Sequence, residues 1–249
     1  DELVDDLDHI YRFDRAWQKY QNAKRIRVAV VAVMLAASVG LMVGGQVVMG
    51  QEKEAAYSSL LAQASELYTT DYDGMVALLD EARTLYPERM DADRQQTYAL
   101  YLNGKWQDCI DFGSDALQNY GEDIQIRLSM ASAQFELGEY EDAAEGFAQG
   151  GELSVDNLRD YAVCLGRLGE IDQAEQILDE LIGQGAHPDV TQYVQGEVYF
   201  AQEDYLDAET AFLDALDQSE TSALTRRCYV SLGDLYRDCA ALMRVNASP

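Results

Sequence analysis

A fixed repeat period is the strongest constraint a sequence can place on a fold, because every unit must then make the same contacts with its neighbours. The segments DYDGMVALLDEA, KWQDCIDFGSDA, EYEDAAEGFAQG, EIDQAEQILDEL and DYLDAETAFLDA follow one another in this chain at such a period. Aligned on Met75, Cys109, Ala143, Ala174 and Ala208, they stand 34, 34, 31 and 34 residues apart. Each opens on an aromatic or Ile (Tyr72, Trp106, Tyr140, Ile171, Tyr205), and the last three add Phe147, Leu178 or Phe212 four residues beyond the aligned Ala. Steps of three and four put these positions on one helix face. The turns LNGKW, LGEYE and LGEID precede such helices, and partner helices are expected ahead of the turns, from about Ala55, Asp91, Ile124, Val155, Asp189 and Arg226. Small residues at the crossings let paired helices approach closely, while the aromatic fills the gap between units. No unit is then stable alone, but a stack is.

The period and these residues resemble the tetratricopeptide repeat (TPR) family. The resemblance implies an all-α chain whose residues 51–249 form an α-solenoid of about five TPR-like helix pairs plus a final helix. In the family's manner, Ala82, Ala116 and Ala215 take the next small position, and Pro87 and Pro188 are expected to end second helices. Met75 and Cys109 are larger than the usual Ala, Gly113 stands where an aromatic is expected, and the fourth unit is three residues short, so irregular packing is expected in the first two units. The sixth segment, TRRCYVSLGDLYRDCAALM, carries the family-like Leu232, Gly233 and Tyr236 without a full partner helix, either as a solvating cap or as the start of a further repeat. Family members usually bind peptides on the concave surface of the first helices. The register places Arg94, Tyr98, Tyr101, Phe135, Arg159, Arg167, Tyr193, Glu197, Phe200, Arg227 and Arg237 there, a mixture of aromatics and arginines of the kind that anchors interfaces. The expected ligand is an extended, partly acidic protein, peptide or envelope polymer. The Lys and Asn set with which some members clamp a C-terminal carboxylate is absent, so that ligand is not expected.

Ahead of the repeats, Val28 to Val48 reads VAVVAVMLAASVGLMVGGQVV, with Gln46 the one residue neither apolar nor small and no charge at all. A helix of this length rises about 32 Å, the thickness of a bilayer's hydrocarbon core. Residues 28–50 are therefore expected to form a single transmembrane helix in contact with membrane lipid. Lys19, Lys24, Arg25 and Arg27 precede it and Lys53 alone follows before Arg83, which places the N-terminus in the cytoplasm and the repeats outside the cell membrane. Ala32, Ala36, Gly40 and Gly44 make a stripe of small residues at steps of four, the pattern that permits close pairing of membrane helices and a possible homodimer.

Residues 1–27 are expected to form a cytoplasmic juxtamembrane amphipathic helix, with Leu3, Leu7, Ile10 and Trp17 on one face. The run ELVDDLDHIYRFDRAWQKYQNAKRIR, followed by a span and helical repeats, resembles the segment that links kinase domain to membrane in bacterial transmembrane serine/threonine kinases. That resemblance implies a regulatory, signal-transducing part of a receptor kinase. It carries over no catalytic residue, since nothing here resembles a glycine-rich loop, an HRD or a DFG. The alternative with the same layout is an anchored envelope scaffold, chaperone or translocon accessory.

Residues 1–27 hold six acids against six bases, so the whole net charge of −27 falls on the outer part. Such a surface repels nucleic acid and anionic lipid, and nucleic-acid binding is excluded. Cys109, Cys164, Cys228 and Cys239 have no metal spacing and read as small core residues. The stretch TTDYDGMVALLD lacks the first and last ligands of a calcium loop. No catalytic residue, metal or cofactor is expected of this chain.

Overall fold

The computed structural model describes the backbone of residues 2–246, while the side chains of residues 1–18, 36, 39–46 and 245–249 lie outside the described residues. Among the described residues there are eleven α-helices: α1 (Glu2–Ser65), α2 (Tyr72–Leu85), α3 (Asp91–Leu102), α4 (Trp106–Tyr120), α5 (Ile124–Leu137), α6 (Tyr140–Ala148), α7 (Val155–Arg167), α8 (Ile171–Gly183), α9 (Pro188–Ala201), α10 (Tyr205–Gln218) and α11 (Ser222–Asn246). They fall into two compact units, Asp1–Ser59 and Leu60–Pro249.

The first unit is helix throughout its described backbone. Its apolar side chains are turned outward: Val28, Val31, Val33, Met34 and Leu35 are each more than half exposed, as are Val47, Val48 and Met49. The Ser38 hydroxyl donates to the Leu35 carbonyl at 2.8 Å, so the polar group inside the apolar stretch is satisfied within the helix. Among the described residues no helix is long and apolar enough to cross a membrane. Of the small-residue stripe, Ala32 is exposed, and Ala36, Gly40 and Gly44 lie outside the described side chains.

The second unit is a right-order stack of helix pairs, and its joints repeat one piece of local chemistry. All five second helices begin on the aromatic or Ile that opens each repeat: Tyr72, Trp106, Tyr140, Ile171 and Tyr205. The turns before α4, α6 and α8 close with a backbone bond across six residues, Lys105 N to Leu100 O at 3.0 Å, Glu139 N to Gln134 O at 2.9 Å and Glu170 N to Leu165 O at 2.9 Å. This is the Schellman closure, and it needs a left-handed residue, which Gly138 (φ 80°) and its counterparts supply. Before α10 the same closure, Asp204 N to Tyr199 O at 2.9 Å, puts Glu203 at φ 64°.

First helices start where the register predicts, with three differences: the one expected from Ala55 has no start of its own, because α1 runs from Glu2 to Ser65. Pro188 does not end a second helix: α8 stops at Gly183, and Pro188 is the first residue of α9, where its missing N–H costs nothing. The last helix begins at Ser222 rather than Arg226. The apparent calcium loop is a helix cap, since the Asp71 carboxylate accepts from Gly74 N at 3.0 Å. The three missing residues come out of α6, which has 9 residues where the other second helices have 13 to 15. Gly150 lets the chain leave α6 early, because a Cβ there would lie 2.4 Å from the Leu128 side chain and 2.7 Å from that of Leu153.

From α5 to α11 one continuous core runs through the stack, holding Ala131, Phe147, Leu158, Val194, Phe212 and Leu235. The first repeats rest on smaller clusters, one around Met75, Leu79 and Ala99 and one around Leu100, Cys109 and Ala133. Gly113 answers to Met130 of α5, whose Cγ and Sδ would come within 2.7 Å of a Cβ at that position. The bulk expected on α4 is supplied by the helix opposite.

Candidate functional site: the inner groove

The concave side of the second unit holds a cavity of about 810 Å³, bounded by α3, α5, α7 and the start of α11. Tyr98, Tyr101 and Leu102 of α3, with Trp106 at the start of α4, form one wall. Tyr98 is 43% exposed and packs edge-on against Tyr68, their ring centres 5.8 Å apart. Ser129 and Ser132 of α5 and Asn157 of α7 add small polar groups, while Glu136, Asp160, Arg159 and Arg227 make the charged part.

That charged part is one network across three first helices. Arg227 of α11 reaches Asp160 of α7 at 2.8 Å and Glu136 of α5 at 2.6 Å. Asp160 also accepts from Arg159 at 2.8 Å, and Arg159 pairs with Asp156 at 2.5 Å. The Arg227 guanidinium lies 4.7 Å from the centre of the Phe135 ring, a cation–π contact that fixes its plane. Asp160 is 2% exposed, so its two arginines are what make its burial tolerable. Burial works against the Arg159 charge but its carboxylate partners prevail and raise its pKa. Burial, reinforced by Asp160 and Glu136, pushes the Tyr101 phenol up to about 12.

The remaining groove residues from the register fall into two groups. Arg94 is tied to Asp123 and Asp91, both at 2.8 Å, at the outer edge of α3. Arg167 holds the buried Glu197 at 2.8 Å and lies 5.1 Å from the centre of the Phe200 ring. Glu197 in turn accepts from the Ser231 hydroxyl. Tyr193 and Glu197 are 3% and 2% exposed, which places them beneath the groove floor rather than on it, and Phe135 is nearly as buried. Arg237 pairs with Asp234 at 2.9 Å on α11. The arginines of the concave face are therefore already partnered by acids of the same chain. Sequence register missed the acids themselves, Glu136 and Asp160, although both sit one helical turn or less from residues it marked.

Burial pushes the thiols of Cys109 and Cys228 up to about 12 and about 11 and that of Cys164 higher still, and all four cysteines are free. The His187 ring sits 2.8 Å from Asp189 at the start of α9, where the pair closes the turn. Among the described residues no group of three His, Cys, Asp or Glu is placed to hold a metal.

A groove lined by the first helices of stacked helix pairs is the hallmark of TPR-type α-solenoids, and solved structures carry the same fold. Pseudomonas aeruginosa pilF aligns with 76% of this chain and 89% of its own at 12% identity and a TM-score of 0.55. A tetratricopeptide repeat protein from Parabacteroides merdae aligns with 78% of this chain and 81% of its own at 18% identity and a TM-score of 0.54. YrrB, described as a TPR protein with an unusual peptide-binding site, aligns with 66% of this chain and 87% of its own at 17% identity and a TM-score of 0.53. No protein-family model and no curated protein matches the chain. The second unit is a TPR-like helical repeat.

Proposed function

We propose that the chain is a non-catalytic, membrane-anchored interaction module whose groove binds an extended segment of another protein. The observation that carries this reading is the cavity itself: it is large enough for several side chains, and its aromatic wall of Tyr98, Tyr101 and Trp106 faces a pre-formed polar floor. With the groove arginines already paired, recognition rests on the aromatic wall and on hydrogen bonds rather than on bare cations. Anchoring through residues 28–48 is supported by the outward-turned apolar side chains of that helix, which have no use in water. The basic cluster before it supports a cytoplasmic N-terminus and an extracytoplasmic array. The resemblance of residues 2–27 to a kinase-to-membrane linker supports a regulatory, ligand-reporting role in a receptor kinase, with pairing through Ala32, Ala36, Gly40 and Gly44.

A photo-crosslinking amino acid at Tyr98, in the full chain expressed in bacterial membranes, tests the groove. Crosslinks to a discrete polypeptide, lost when Tyr101→Ala is added, are expected. No adduct, or adducts indifferent to Tyr101, would sink the reading. Alkaline phosphatase fused after Pro249 reports orientation independently: activity is expected, and its absence alongside a fluorescent cytoplasmic reporter at the same place reverses it.

A further inference from the structure

The hydrogen-bonding groups of the inner groove divide into a satisfied set and an open one. At its bottom the carboxylates of Asp160 and Glu136 are engaged by Arg159, Arg226 and Arg227, and each of those guanidiniums is thereby held by an acid of the same chain. A charged side chain entering the cavity would have to displace an existing pair, so the groove suits an uncharged occupant. The open set is different. The Tyr98 and Tyr101 hydroxyls, the Trp106 indole, the Ser132 hydroxyl and the Asn157 amide line the cavity and make no side-chain hydrogen bond among the described residues. Ser132 is 6% exposed, and unlike Ser129, whose hydroxyl donates to the Gln125 carbonyl at 3.0 Å, it has no partner on its own helix. A hydroxyl so buried and left open to the cavity points to a group that arrives from outside.

Every group of the open set can donate, and the indole can only donate. The walls are helices whose backbone groups are bonded internally, so no strand edge offers acceptors to an incoming chain. An ordinary extended peptide brings an N–H with each carbonyl, and N–H groups buried here would face donors. A proline brings the carbonyl without the N–H, together with an apolar ring. Tyr98 and Tyr101, with ring centres 6.4 Å apart and planes tilted by 35°, continue into Leu102 as an apolar wall on which such rings can lie. Polyproline II has no internal hydrogen bonds to break and little freedom to lose on binding. We infer that the inner groove takes an uncharged, proline-rich segment of its partner in the polyproline II conformation. Proline rings lie against Tyr98, Tyr101 and Trp106, and the segment's carbonyls accept hydrogen bonds from the donors of wall and floor. The inference rests on the groove being the binding surface and adds the chemistry of what binds.

The probe is a fluorescent oligoproline of about ten residues, hence about 31 Å long, added to the full chain in detergent micelles and followed by anisotropy. Saturable binding is expected, weakened about tenfold by Tyr98→Ala and about fivefold by Tyr101→Phe, which keeps the ring and removes the hydroxyl. A thermal melt of each variant, expected near that of the parent, separates lost binding from unfolding. No binding at about 1 mM oligoproline, or binding indifferent to both substitutions, overturns the inference. Equal binding of a glycine–serine peptide of the same length, or tighter binding of a lysine-bearing one, overturns it as well. The Tyr98 crosslink tests the groove separately, and oligoproline in excess should suppress it. A crosslink that forms and persists in that excess sinks the proline inference and keeps the groove, whereas no crosslink together with no oligoproline binding removes both.

Discussion

The two ends of the repeat array solve the same packing problem with different residues. In the later repeats Ala143 and Ala208 sit at the helix crossing, and the core from Ala131 to Leu235 is continuous. In the first two, Met75 and Cys109 take that place, and the core breaks into two small clusters. Crossing-residue size accompanies this difference without setting it alone, since Ala174 sits in a small cluster of its own with Leu165 and Val198. Stability in a stack is a sum over neighbouring contacts, so the two ends should respond separately to damage.

The largest effect is expected from Asp160→Ala in the later repeats. It leaves Arg159 and Arg227 facing each other without their shared carboxylate, and a loss of about 3–5 kcal/mol in urea unfolding is expected. Phe212→Ala opens a cavity in the continuous core at a cost of about 3–5 kcal/mol, and hydrogen exchange should quicken from α7 through α11 together. Met75→Ala costs about 2–4 kcal/mol but should quicken exchange only in α2, α3 and the end of α1 around Ala64; equal loss of protection in α9 would erase the distinction between the ends. Glu203→Gly should raise stability by about 1 kcal/mol, since it relieves a left-handed residue where the other turns use glycine. The smallest change is expected from Arg237→Ala, which removes an exposed pair and should cost less than about 1 kcal/mol.

Titration divides the ends as well. Tyr101 ionises near 10 in the unfolded chain and at about 12 in the fold, so as pH rises the unfolded state loses its proton first. Stability is therefore untouched below about pH 10 and falls between about pH 10 and 12, and Tyr101→Phe should flatten that fall in alkaline denaturation. At pH 8 a thiol reagent should label Cys239 quickly and the buried Cys109, Cys164 and Cys228 only at the rate of unfolding.

The helix starts at Tyr72, Trp106, Tyr140, Ile171 and Tyr205 were legible because local chemistry fixes them: the Asp71 cap, or a turn left-handed at Gly104, Gly138, Gly169 or Glu203, and a following aromatic or Ile act within six residues. Gly113 was not, since its reason is Met130 on the next helix, a compensation that an alignment of repeats with themselves never displays. Pro188 was misread for a related cause, as the same residue type serves one helix's exit and the next one's entry. Of the groove, the register located the arginines and one partner, Glu197 of Arg167, but neither Asp160 nor Glu136. Arg227 finds Asp160 sixty-seven residues back and Glu136 ninety-one back, pairings that an alignment of repeats does not display. Tyr193 and Glu197 are buried where α11 meets α9, with Ser231 reaching Glu197.

The paired state of the groove arginines bears on how binding should answer to the surrounding medium. A site built on unpartnered cations gathers small anions in dilute buffer and releases them when a ligand arrives, so its affinity collapses as ionic strength rises. Here Asp160 and Glu136 already stand where those anions would be. Occupancy of the groove should then be nearly indifferent to the saltiness of the bathing fluid.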